Sequence, residues 1–261
     1  MAFECRKTEF ARRIPGGRVA DPFHTTHWSV VLAAGQESQT DASSRALETL
    51  CQTYWYPLYA FIRHRVGNEH EAQDLTQAFF ERLLEKRTLA DADPDRGRFR
   101  AFLLTACNRF LANEWHKANA QKRGGGVQVL SLDFEAAATR YSVEPADNLT
   151  AEVLFEQQWA IALIDSVLAR LRQEFADRGA EEPFDQLKTF LTRGKTTSYA
   201  AVAEVMETSE GAAKVAVYRL RTRYREMIRS EIAQTVDSPD EVEDEIRRLF
   251  EVMSGKRDNS V

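Results

Sequence analysis

Apolar residues in this chain recur three and four positions apart, and that spacing limits the fold more than any other feature. Between residues 69 and 87, Leu75, Phe79 and Leu83 fall on one row, and Ala72, Phe80 and Leu84 on the adjoining one. Near the C-terminus Val242, Ile246, Leu249 and Met253 repeat the pattern. This is the 3.6-residue period of an amphipathic helix, in which such residues share one face. With 12 Gly and 7 Pro among 261 residues, helix breakers are few. No segment reads as a strand, and no internal repeat is present. The expectation is an all-α chain.

The breakers that do occur divide it. Residues 1–25, with "RRIPGGR", read as a flexible lead. Ser43–Val66 reads as a helix rich in aromatics (Tyr54, Trp55, Tyr56, Tyr59 and Phe61), with a break or kink expected at Pro57. Gly67 and Asn68 end it, and a second helix starts near Glu69. A turn-rich loop at 91–98 leads into a third helix from Phe99, ended by the glycines at 124–126. Residues 126–150, including "SVEPADN", show no sustained period and read as a linker. Helices resume at Ala151. Ser238 and Pro239, followed by acids, begin a last helix. The expected organisation is two small helical domains, 26–125 and 151–236, joined by the linker and followed by an acidic C-terminal helix and tail, 237–261.

Several function classes are unsupported. Cys5, Cys51 and Cys107 lie far apart, without a CxxC pair. They suggest neither a zinc site nor a disulfide framework and suit a reducing cytoplasm. No run has the composition of a signal peptide or the roughly 20 apolar residues of a membrane span, so a soluble cytoplasmic protein without a membrane partner is expected. The five histidines show no metalloprotease spacing, and there is no Gly-rich phosphate loop or nucleophile motif. No enzyme, cofactor or metal site is expected.

Charge points elsewhere. The whole chain carries a formal net charge of −5, yet "GAAKVAVYRLRTRYREMIR" holds Lys214, Arg219, Arg221, Arg223, Arg225 and Arg229 against Glu226 alone. DNA responds to the local face rather than to the total. Upstream, Tyr199, Val202, Ala203 and Met206 form one face of a short helix that Ser198 can cap. "ETS" is a tight turn, and Ser209 can cap a second helix with Ala213, Val217 and Leu220 inward. Small residues at 203 and 213 let the helices cross closely. This is the layout of a helix-turn-helix. Lys214, Tyr218, Arg219 and Arg221 remain outside the apolar face, where they can reach phosphates or base edges. A second basic segment runs from Arg96 to Arg123, interleaved with Phe99, Phe102, Phe110 and Trp115. Cations with aromatics suit unpaired bases, which stack on rings while phosphates are held. Phe102 and Phe110 read as core. For Phe99, core and base stacking stay open.

Three pieces resemble the extracytoplasmic-function group of the sigma-70 family of bacterial sigma factors. "EHEAQDLTQAFFERLLEK" looks like region 2.2, "GRFRAFLLTACNRFLANEWHKANAQKR" like regions 2.3 and 2.4, and "SYAAVAEVMETSEGAAKVAVYRLRTRYR" like region 4.2. The resemblance implies binding of core RNA polymerase, through its beta-prime clamp helices, by Asp74, Gln77, Phe80 and Glu81. It implies capture of the -10 element by Arg96, Arg98, Phe99, Arg100 and Asn108. It also implies reading of the -35 element by Lys214, Tyr218, Arg219 and Arg221, with docking on the beta-flap. Gln73 and Ala78 stand where the group often has acids. A phosphate on Thr76, in the middle of that face, would add about −1.5 to −2 charge, which makes a Ser/Thr kinase a candidate controller; the resemblance also implies an anti-sigma factor as a candidate partner. The competing readings are a helix-turn-helix regulator that acts without polymerase and a structural helical interaction protein.

Overall fold

In the computed structural model of the chain the described residues are 28–34, 41–85, 88–93, 97–120, 134, 137, 140–141, 149–191, 198–236 and 238–254. They contain nine α-helices: α1 (Trp28–Ala34), α2 (Asp41–Val66), α3 (Glu69–Glu85), α4 (Phe99–Ala120), α5 (Ala151–Ala176), α6 (Glu181–Leu187), α7 (Tyr199–Val205), α8 (Glu210–Ala233) and α9 (Val242–Met253). Short 3-10 turns occupy Thr88–Asp91, Lys188–Phe190 and Pro239–Glu241. No strand occurs among the described residues, as the spacing predicts. The lead expected at 1–25 and the glycine run at 124–126 lie outside them.

The two longest helices, α2 and α5, form the spine. The Phe155 ring of α5 stacks on Tyr54 of α2 at 6.4 Å between centroids and meets Phe61 edge-on at 6.5 Å. Trp159, Leu163 and Val167 continue the buried row of α5. One hydrophobic cluster extends from Val31 in α1 to Leu249 in α9. The segments expected to form two domains thus meet across a shared core along α2 and α5.

The helix α2 runs unbroken through Pro57, where the sequence predicts a break or kink. A proline in a helix interior removes one backbone hydrogen bond and costs about 3 kcal/mol. Tyr56, Leu58, Tyr59, Phe61 and Ile62 around it are all buried. Burial stabilises by about 1.5–3 kcal/mol per large apolar side chain, so packing outweighs the local preference. Packing also orders part of the expected linker. Phe134, Ala137, Arg140 and Tyr141 are helical. The Phe134 ring lies 5.8 Å from Tyr59, and the Arg140 guanidinium sits 4.0 Å over the Tyr56 ring while donating to Gln158 Oε1 at 2.7 Å. Helix α1 has 7 residues, too few to register as a period, yet its Val31 is fully buried.

The C-terminal half follows its caps. Ser198 Oγ accepts from the Ala201 N–H at 3.1 Å, and Ser209 Oγ from the Ala212 N–H at 3.2 Å, starting α7 and α8. Between them the Thr208 N–H donates to the Ala203 carbonyl at 2.9 Å, and Glu207 takes φ +48° to close the turn. Val202, Ala203, Ala213, Val217 and Leu220 are buried where the two helices meet. At the end of the chain Ser238 Oγ accepts from the Asp240 N–H, and α9 lies across α5 and α8. Its buried residues are Val242, Glu245 and Leu249, whereas Met253, expected on the apolar face, is exposed at the helix end.

Candidate nucleic-acid and polymerase interfaces

Helix α8 turns Ala213, Val217 and Leu220 into the core, and that rotation fixes what faces out. Tyr218 is 69% exposed, with Lys214 and Arg219 beside it on the outer face. The Lys214 ammonium is 2.9 Å from Glu210 Oε1, a hydrogen bond that raises its pKa, and it lies 5.5 Å over the Tyr199 ring. Arg221 is exposed but occupied: its Nε and Nη2 donate to the Phe190 carbonyl at 3.3 and 3.1 Å, tying α8 to the turn after α6. Arg223 donates from Nε to Glu174 Oε2 at 3.0 Å and holds that carboxyl below the usual carboxylate range. Arg229 pairs with Glu243 of α9. Arg219 and Arg225 are exposed and, among the described residues, without an acidic partner.

The start of α4 is organised differently from the sequence expectation. Arg96 lies outside the described residues. Phe99 is buried, its ring 5.6 Å from Tyr54 and 5.8 Å from Phe102, which makes it a core residue rather than a stacking platform. Arg100 is only 2% exposed and does not reach solvent in this conformation. Its Nε donates to Glu156 Oε2 at 2.9 Å, its Nη2 pairs with Glu245 Oε1, and its guanidinium lies 4.2 Å over the Trp159 ring. Arg98, about a quarter exposed, places Nη2 2.7 Å from Glu245 Oε2. Burial pushes the Arg98 guanidinium down from its ordinary value, and Glu245 works the other way. The contact is an ion pair rather than a well-aligned hydrogen bond, since that oxygen accepts none. Asn108 is half-buried and accepts from Arg65 Nη2 at 2.7 Å. The acid that unites the two arginines, Glu245, was not anticipated: it lies 145 residues from Arg100 in sequence.

On α3, Asp74 is exposed, and Gln77 and Glu81 are half-buried and joined by a 3.3 Å hydrogen bond. These three can form a surface. Phe80 cannot, because it is buried against Phe79 at 5.9 Å. Thr76 is fully buried, and its Oγ1 donates to the Ala72 carbonyl at 2.6 Å. A phosphate there would set close to two negative charges in an apolar site, at large desolvation cost, and in this conformation the hydroxyl does not reach the surface. In this conformation Thr76 serves packing, and modification would first need the hydroxyl to be exposed. The row Ala72, Thr76, Phe79, Phe80 and Leu83 held that signal, since all five recur at helical spacing.

Among the described residues no helix is long and apolar enough to cross a membrane, and no group of His, Cys, Asp and Glu is arranged to hold a metal ion. No curated protein and no solved structure matches the chain. A family model described as ECF sigma factor matches residues 36–230, from before α2 into the last turn of α8, and leaves α9 outside. That span covers most of the sequence and takes in both basic segments. The chain therefore belongs to the ECF sigma factors, a family that associates with RNA polymerase for promoter-specific initiation of transcription.

Proposed function

We propose that this chain directs core RNA polymerase to promoters by reading a -35 element with α8 and a -10 element with the start of α4. It acts by binding, with no chemical step of its own. Residues 26–125 would supply the polymerase and -10 contacts, and residues 151–236 the -35 contacts. On α3, Asp74, Gln77 and Glu81 are the candidates for the basic clamp surface of polymerase. Arg96, Arg98 and Asn108 are the candidates for the melted strand. Lys214, Tyr218 and Arg219 are the candidates for the duplex major groove.

One observation carries this reading. The second helix of a doubly capped helix-turn-helix buries Ala213, Val217 and Leu220 and so presents Lys214, Tyr218 and Arg219 together on its free face. A cation–aromatic–cation row on a recognition helix is suited to phosphate and base-edge contact. The test is transcription by purified core polymerase with and without this protein on genomic DNA fragments, with transcript starts mapped. Discrete new starts that disappear with Arg219→Ala are expected. Duplex binding without any new transcript would instead establish a regulator that acts without polymerase.

A further inference from the structure

We propose that α9 is an intramolecular latch: its Glu245 occupies the arginines at the start of α4 and so keeps the single-strand-binding segment closed in the free protein. The proposal rests on reading that segment as the -10 contact. Glu245 is 1% exposed, and its two carboxylate oxygens face different arginines, Oε1 toward Arg100 and Oε2 toward Arg98. A buried carboxylate is tolerated only while it is paired. A phosphate that takes the Nη2 of Arg98 and of Arg100 occupies the places Glu245 holds and leaves that carboxylate buried without its partners. Seating of α9 and use of these arginines on DNA are therefore mutually exclusive.

The rest of the geometry fits a helix that can leave. The helix α9 lies beyond the residues matched by the family. Val242 and Leu249 are buried, Gln157 Nε2 donates to the Val252 carbonyl at 2.9 Å, and Arg229 pairs with Glu243 where both side chains are more than half exposed. When α9 departs, Arg100 retains Glu156 and Trp159 on α5, so the α2–α5 core need not open. Arg98 then loses its acidic partner, and the Nη2 of Arg100 becomes available.

The experiment measures binding of a fluorescein-labelled, mixed-sequence single-stranded DNA by the full-length protein, by a chain ending at Asp237, and by Glu245→Gln and Glu243→Lys. Helicity is checked for each. On single strands each phosphate contact adds about 0.7 to the slope of log affinity against log salt. The released Arg98 should therefore steepen that slope by about 0.7 and tighten binding about fivefold at about 0.1 M salt. Glu245→Gln and Glu243→Lys should give smaller gains in the same direction. Arg98→Ala in the shortened chain should remove most of its gain. Equal affinity of folded Glu245→Gln and the parent would overturn the latch, even if the shortened chain proved insoluble. So would a gain that survives Arg98→Ala. Transcription with core polymerase separates this from the promoter reading. If the parent directs new starts but no variant binds the oligonucleotide more tightly, the latch fails alone. If the gain appears but neither the parent nor the shortened chain directs any start, the promoter reading fails alone.

Discussion

Replacing Arg100 by alanine removes the central cation of the network that joins α4, α5 and α9. The guanidinium is buried, with Glu156 on one side, Glu245 on another and the Trp159 ring beneath it. Breaking a buried pair from one side costs about 3–5 kcal/mol, mostly because the remaining charge stays desolvated. Here the lower end applies. Glu245 keeps Arg98 at 2.7 Å, and Glu156, 15% exposed, can turn toward water. The expected loss is about 3 kcal/mol, which for a chain of this size lowers Tm by about 6–12 °C. Urea unfolding followed by far-UV circular dichroism measures it. Glu245→Gln in the same chain removes the carboxylate that has lost one of its two arginines, so the double variant should be less destabilised than the sum of the singles, with a coupling of about 2 kcal/mol. A loss below about 1 kcal/mol, the range of a solvent-exposed pair, would refute the buried network.

Thr76→Val should cost about 1 kcal/mol for one lost hydrogen bond, and Thr76→Glu several kcal/mol for a buried charge; thermal melting distinguishes them, and a stable Thr76→Glu would show that the site is open. Arg219→Ala should weaken duplex DNA binding while leaving stability within about 0.5 kcal/mol, whereas Arg221→Ala should also lower Tm because it frees the Phe190 carbonyl; gel shift and melting on both variants check this. Burial pushes the Cys51 thiol up to about 11 and the Cys107 thiol up to about 12 from the ordinary 9.0. The unfolded chain therefore deprotonates first, and the stability contributed by these thiols is whole below the ordinary pKa and lost as pH rises through the folded values. Urea midpoints should fall between about pH 8 and about pH 11, and less so in a Cys107→Ala background.

What was legible in the sequence was local. Ser198 and Ser209 cap where the motif places them, and the inward and outward faces of α8 follow from a spacing of three and four. Thr76 obeys the same spacing. Its place on the row with Ala72 and Phe80 signals burial, and the hydroxyl is satisfied within its own helix by the Ala72 carbonyl. At Pro57 the aromatic packing on both sides outweighs the local breaking rule, and the helix continues. Glu245 and Arg100 were not legible at all. Charged residues are expected at the surface, and only the tertiary path that brings α9 back over α4 puts them together. Arg221 resembles its neighbours in sequence, and only the position of the Phe190 carbonyl separates it from them.

The ion pairs along α8 bear on how this protein responds to its ionic surroundings. Lys214, Arg223 and Arg229 each already have a carboxylate of the same chain beside them, in Glu210, Glu174 and Glu243. Exposed pairs of this kind are weak and screened by salt. Rising salt therefore loosens these cations from their own acids while it also screens the DNA phosphates. The two effects oppose each other, so affinity for duplex DNA should fall less steeply than about −0.9 per phosphate contacted. The acids of α5, α8 and α9 act as counterions that the chain carries with it, and DNA bound along α8 would displace them in place of ions from solution.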